Sequence, residues 1–176
     1  DGIGSFAGNV QMVKKEQILT ADSIRTNSND DIVTAYGSVH LQDREYKLKS
    51  RLLTYFSEAD SGIAEGDVVF VQKGQTITAG KFTYVKETND VASYRAEEDV
   101  IIREEERTAT CGLTIYDALS DISKLLDNPI VVQEGQQISG EEIHLRYEED
   151  KLAKLTIPGK AHIVYKRKGK TNGTED

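Results

Sequence analysis

The sequence predicts an all-β fold of roughly five to six antiparallel units, each about thirty residues long. Three observations carry that reading. A three-residue opening recurs along the chain, apolar residues alternate with period two after each opening, and turn-forming residues separate the alternating runs.

The opening is a small or turn-forming residue, then any residue, then an aliphatic one. It stands as Gly8-Asn9-Val10, Gly37-Ser38-Val39 and Gly66-Asp67-Val68. Weaker copies are Glu98-Asp99-Val100, Asn128-Pro129-Ile130 and Gly159-Lys160-Ala161. The third positions, 10, 39, 68, 100, 130 and 161, are spaced by 29, 29, 32, 30 and 31. After each opening the alternation places Val10 with Met12, Val39 with Leu41, Val68 with Phe70, Val100 with Ile102, and Ile130 with Val132 on one face. Lys73-Gly74-Gln75 and Glu134-Gly135-Gln136 follow, where glycine supplies the positive φ of a tight hairpin.

The second half of each unit recurs too, as Leu19/Ala21/Ile24, Leu48/Ser50/Leu53, Ile77/Ala79/Phe82 and Ile138/Gly140/Ile143. The step from two residues to three breaks strict alternation, as a β-bulge or kink does. Tyr55, Tyr84 and Tyr116 come next, with Leu145 in the equivalent fifth place, and polar turns close the units at 27–31, 58–62, 87–90 and 148–151. These halves read as short antiparallel strands. Between Ile115 and Leu126 the residues Ile115, Leu119, Ile122 and Leu126 also fit helical spacing, with Asn128-Pro129 as a stop; the repeat register favours strand, turn and strand there. Residues 1–165 thus form one β domain, and the polar 166–176 a tail or linker.

Composition excludes several classes. Thirty acidic against 22 basic residues give a formal charge of −8, opposite in sign to a nucleic-acid module. No apolar stretch is long enough for a membrane helix. One cysteine makes no internal disulfide, and Cys111 reads as a small buried residue in a repeat slot. His40 and His162 share an outward position, so no metal site is expected. No nucleophile elbow, phosphate-cradling glycine loop or histidine metal motif appears, so neither catalysis nor a cofactor is expected. The start Asp1-Gly2-Ile3-Gly4, with no leader pattern, reads as a processed chain or an excised domain.

Units such as Ala35-Tyr36-Gly37-Ser38-Val39 and Ala64-Glu65-Gly66-Asp67-Val68, followed by Ile77-Thr78-Ala79-Gly80-Lys81-Phe82-Thr83-Tyr84, resemble the OstA/LptA family of lipopolysaccharide-transport proteins. The resemblance runs from about Phe6 to Tyr165. Glu98 and Asn128 depart from it by replacing the opening glycine. It implies a twisted, slightly open β-jellyroll in the bacterial periplasm, sheltering the acyl chains of lipopolysaccharide between inner and outer membrane. On that reading Val39, Leu41, Val68, Phe70, Phe82, Tyr84, Val100, Ile102, Ile130 and Val132 point inward and line an apolar, lipid-binding groove. The implied partners are lipopolysaccharide (its lipid A), other jellyroll proteins of the transport system paired edge to edge, and further copies of this chain head to tail. The candidate edges are residues 10–13 and 162–165.

Two alternatives stay open at this level. One is the N-terminal periplasmic domain of a larger outer-membrane lipopolysaccharide-assembly or OstA-like protein. The other is a structural β-solenoid with a closed interior that binds no lipid. The solenoid requires small, tightly stacking residues inside, whereas a carrier accepts Phe70, Phe82 and Tyr84. The acidic runs 97–99 and 104–106 read as solvated edges and turns, and the basic cluster 166–170 as a solvated tail.

Overall fold

A computed structural model describes residues 2–87 and 90–165; the tail predicted over 166–176 lies outside the described residues. Fourteen strands account for nearly all of it, every pairing is antiparallel, and no helix occurs among the described residues. They are β1 (Ile3–Lys14), β2 (Gln17–Asn27), β3 (Ile32–Gln42), β4 (Tyr46–Phe56), β5 (Ser61–Gln72), β6 (Gln75–Glu87), β7 (Asp90–Glu104), β8 (Arg107–Asp117), β9 (Ile122–Leu126), β10 (Ile130–Gln133), β11 (Gln136–Gly140), β12 (Ile143–Glu148), β13 (Lys151–Thr156) and β14 (Ala161–Tyr165). The first eight are long, 11 to 15 residues, rather than the short strands that the alternation suggested. Each long strand joins two of the predicted runs.

What joins them is the repeated opening. The register slips by one residue between Ala7 and Val10, Tyr36 and Val39, Glu65 and Val68, and Glu97 and Val100. The openings are therefore bulges in the middle of strands, not turns between units. Each bulge calls for left-handed backbone: Gly8, Gly37 and Gly66 have φ of 91°, 90° and 79°, and in the fourth unit Glu98 and Asp99 hold 68° and 53°. At Gly37 a Cβ would also stand 2.7 Å from Asp22 Cβ, an atom that no side-chain rotation moves, so both the backbone and the space favour glycine there. On the facing strands the buried positions step by three, as at Ala21 and Ile24 or Ser50 and Leu53, which is the predicted break of alternation seen from the other side.

The bulges form a corner along which the sheet folds back on itself. Phe70 on β5 pairs with Ile77 on β6, while Phe82 is five residues further along β6. On a flat sheet those five residues would separate the two rings by roughly 16 Å. Their centroids are 4.5 Å apart and stacked. The strand halves ending at the turns 15–16, 43–45, 73–74 and 105–106 thus make one layer, and the halves ending at 28–31 and 57–60 make the other. At the C-terminal end the corner breaks the strands outright. Residues 107–110 of β8 pair with β10 in the first layer, and residues 113–117 pair with β9 in the second. Pro129, which has no N–H for a ladder, marks one break. The first layer ends on β10-β11-β14 and the second on β9-β12-β13.

The segment 115–126 is strand, turn and strand, as the register predicted, with Leu119 exposed at the tip of the turn. The sheet does not close. β1 pairs only with β2, β13 only with β12 and β14 only with β11, leaving edges at both ends.

Candidate functional site

Eight of the ten predicted inward residues lie in one buried cluster between the layers: Val39, Leu41, Val68, Phe70, Phe82, Tyr84, Val100 and Ile102. Ile130 and Val132 do not. Val131 is the buried residue, 1% exposed, while Val132 is 42% exposed on the outer face beside half-buried Ile130. The cause is a one-residue slip. The left-handed pair of the fifth unit is Asp127-Asn128, with φ of 59° and 58°, so buried Pro129 takes the aliphatic place that Val100 holds one unit earlier. From 100 to 129 the spacing is 29, matching the first two intervals, and a shift of one residue exchanges the faces of everything that follows.

The interior is filled by large side chains. Rings run as a chain of contacts from Tyr46 to Phe70 (5.7 Å), Phe82 (4.5 Å), Tyr94 (5.2 Å) and Tyr116 (5.1 Å), and Tyr84 meets Tyr46 edge-on at 5.9 Å. Tyr84 lies across Gly62, its cross-strand partner, where a Cβ would stand 2.5 Å from the ring. The hydroxyls of Tyr46 and Tyr84 are buried together with no partner beyond each other. Burial pushes both phenols well above the ordinary tyrosine range. Cys111 fills its small slot as predicted, and burial raises its thiol to about 11.

Opposite the corner, the two rows of turns border a mouth between the layers, and specific contacts span it. Lys86, at the end of β6 in the second layer, reaches Asp43 in the β3–β4 turn of the first, Nζ to Oδ2 2.9 Å. Their side chains are 6% and 7% exposed. Asp43 is held in place from its own layer. Its Oδ2 accepts a bond from Gln17 Nε2 at 2.8 Å, its Oδ1 one from the Arg44 amide at 2.6 Å, and its own amide donates to the Tyr46 carbonyl at 2.9 Å. Burial disfavours the ionised carboxyl, yet these bonds and the Lys86 charge outweigh it and hold Asp43 below the usual carboxylate range. The Lys86 ammonium also stands 5.5 Å over the Tyr46 ring. Further along, Gln75 bonds both Tyr94 and Tyr147, and Lys73 reaches Asp150 at 3.0 Å.

On the β1 side of Asp43 and Lys86 the mouth differs. Met12, Leu19, Val33, Leu41, Leu53 and Tyr55 line a cleft between the layers, with Lys14, Gln17 and Ser57 at its rim. Its free volume is about 60 Å³, far below the roughly 300 Å³ at which small-molecule pockets begin. A bulky apolar group therefore has to part the layers to enter.

Sequence reasoning missed Asp43, Lys86, Tyr46 and Tyr94. The signal was present in two of them. Alternation carries Val39 and Leu41 on to Asp43, and Phe82 and Tyr84 on to Lys86, so each strand sets one charge on its apolar face. His40 and His162 are exposed as predicted, and His144 contacts Glu142. Glu98 and Asp99 are exposed at the corner, and Glu105 and Glu106 in the β7–β8 turn.

A family-wide sequence profile described as LptA/(LptD N-terminal domain) LPS transport protein matches residues 1–90 and 47–151 of this chain. Among curated proteins the comparison gives no match. Among solved structures the fold is similar to that of LptH from Pseudomonas aeruginosa, described as the LptA-homologous periplasmic component of the conserved lipopolysaccharide transport device. That likeness has a TM-score of 0.57 at 15% identity and covers 69% of this chain and 95% of the LptH chain.

Proposed function

Since the chain belongs to the LptA/(LptD N-terminal domain) family of LPS transport proteins, we propose that it shelters the acyl chains of lipid A between its two layers, in the periplasm, as lipopolysaccharide passes from inner to outer membrane. The observation that carries this reading is the interior. It is apolar and built of large side chains in a sheet left open at both ends, where a structural stalk would favour small residues in a closed one. The energetic need is clear. A methylene left in water costs roughly 0.8 kcal/mol, so a single fourteen-carbon chain costs on the order of 10 kcal/mol. A lipid with several such chains crosses an aqueous gap only inside an apolar lining. Because the lipid must also be passed on, many weak contacts serve better than one deep pocket. The same task falls to a free bridging protein and to an N-terminal domain of a larger assembly protein.

The acyl chains enter at the β1 end, through the cleft lined by Met12, Val33 and Leu53, and extend toward Leu41, Val68 and Phe70. Of the ten residues read from the sequence as lipid-facing, Leu41, Val68 and Phe70 stand on this path, Val39, Phe82, Tyr84, Val100 and Ile102 share the buried core beyond it, and Ile130 and Val132 are left out of it. Site-specific photocrosslinking tests the assignment. A photoreactive residue at Met12 or Val33 is expected to capture lipopolysaccharide, and one at exposed, outward Arg25 is not. Equal capture at all three positions, or none at Met12 and Val33 in folded protein, would sink it.

The open edges supply the route onward. β1 exposes Ile3, Phe6 and Val13, and β14 exposes Ile163, Val164 and Tyr165, each beside unpaired backbone groups. Such edges accept a strand from a neighbouring jellyroll, a second copy included, and prolong the interior. The expected result is concentration-dependent self-association in sedimentation experiments, abolished by Val164→Pro. Monomeric behaviour across a wide concentration range would argue against it.

A further inference from the structure

We propose that the buried Asp43–Lys86 pair is a latch that divides the interior, confining acyl chains to the β1-end cleft until the pair separates. This rests on the lipid-carrier reading above and adds to it the control of how far a chain penetrates. Three features place the latch. The pair spans the mouth at the boundary between the loosely closed cleft and the fully packed core, since Gln17 is at once a lining residue of the cleft and a partner of Asp43. Lys86 covers Tyr46, the first ring of the aromatic chain that blocks the interior through Phe70 and Phe82. Two further cross-mouth contacts, from Gln75 and Lys73, lie on the far side of that block, where the Lys73–Asp150 bridge is half exposed, and on the near side Lys14 stands 6.0 Å over the Tyr55 ring at the cleft's rim.

The latch is also poised to open. Behind it the Tyr46 and Tyr84 hydroxyls are buried together with no partner beyond each other, so opening would hydrate polar groups that the closed state keeps from water. The Lys86 amide is anchored to the Asp60 carbonyl of its own layer at 2.9 Å, and Asp43 is anchored to its own layer by Gln17 and Arg44. Parting the layers therefore breaks one ion pair and leaves both partners positioned to re-form it. An amphiphile whose chain wedges between Met12 and Val33 supplies the force at the adjoining point.

Native-state thiol labelling without any lipid tests the latch separately from the carrier reading. The parent is Cys111→Ala. One reporter is Leu48→Cys, behind Tyr46, and the other is Val33→Cys, in the cleft. Adding Asp43→Ala with Lys86→Ala is expected to raise labelling at position 48 about tenfold, equivalent to about 1.4 kcal/mol in opening free energy. Labelling at position 33 should stay constant. Unchanged labelling at 48, or an equal rise at both positions, overturns the latch. Should the alanine pair fail to fold, Asp43→Leu with Lys86→Met fills the same space with apolar groups and is expected to slow labelling at 48; equal or faster labelling there overturns the proposal. If labelling behaves as expected but neither Met12 nor Val33 crosslinks to lipopolysaccharide, the pair still holds the mouth closed, while the carrier reading falls and with it the role of the pair in confining acyl chains.

Discussion

Phe82→Ala is expected to lower folding stability by about 3–5 kcal/mol, the range for truncating a buried phenylalanine. The side chain is fully buried, stacks on Phe70 at 4.5 Å and on Tyr94 at 5.2 Å, and is flanked by Tyr84 at 6.2 Å. Its neighbours come from both layers, with Phe70 in the first and Tyr84 and Tyr94 in the second, so no single strand can shift to fill the gap. The loss sits where the folded-over sheet meets itself, and the layers should loosen together. Urea denaturation followed by far-ultraviolet circular dichroism measures it. A loss below about 1 kcal/mol would mean that the site collapses easily, as happens where the surroundings relax, and that the aromatic chain does not hold the layers together.

Lys86→Ala is expected to cost a similar amount at neutral pH, about 3–5 kcal/mol, because it strands the Asp43 carboxylate in a buried site. The pair itself contributes less than that figure suggests, since bringing both charges out of water offsets much of their attraction. The pH dependence identifies the cause. In the parent protein Asp43 is held below its ordinary value of 3.8. A depressed folded-state pKa gives stability that is present above the unfolded value and is lost as pH falls through the folded one. Without Lys86, burial acts against only the Gln17 and Arg44 hydrogen bonds, so the carboxyl titrates higher than in the parent. The deficit of the variant should therefore be largest at pH 7 and shrink toward pH 4, where Asp43 takes up a proton. Parallel denaturation curves at the two pH values decide it. A constant deficit would assign the cost to lost packing of the lysine stem over Tyr46 rather than to charge.

The sequence by itself determined the class of fold, the repeat and most of the apolar face. Alternation is a local property of an extended backbone, so Val39 with Leu41, Val68 with Phe70, and Val100 with Ile102 could be placed on one side without any knowledge of their neighbours. Glycine before an aspartate or serine likewise announced a special backbone at 37–38 and 66–67. It could not say whether that backbone turned the chain or bent it, because both uses need the same positive φ. The fifth unit shows the limit of pattern alone: Asn128 looked like the opening residue, yet Asp127 and Asn128 share the left-handed backbone at the break between β9 and β10, and that single residue exchanged Val131 for Val132. Only the tertiary structure decided that the sheet folds along its bulges, that Phe70 stacks on Phe82, and that Asp43 meets Lys86 across the mouth. Those partners lie 12 and 43 positions apart, in different layers. Their meeting depends on where the corner falls in every intervening strand, which is a sum over the whole sheet and is written in no single stretch of the chain.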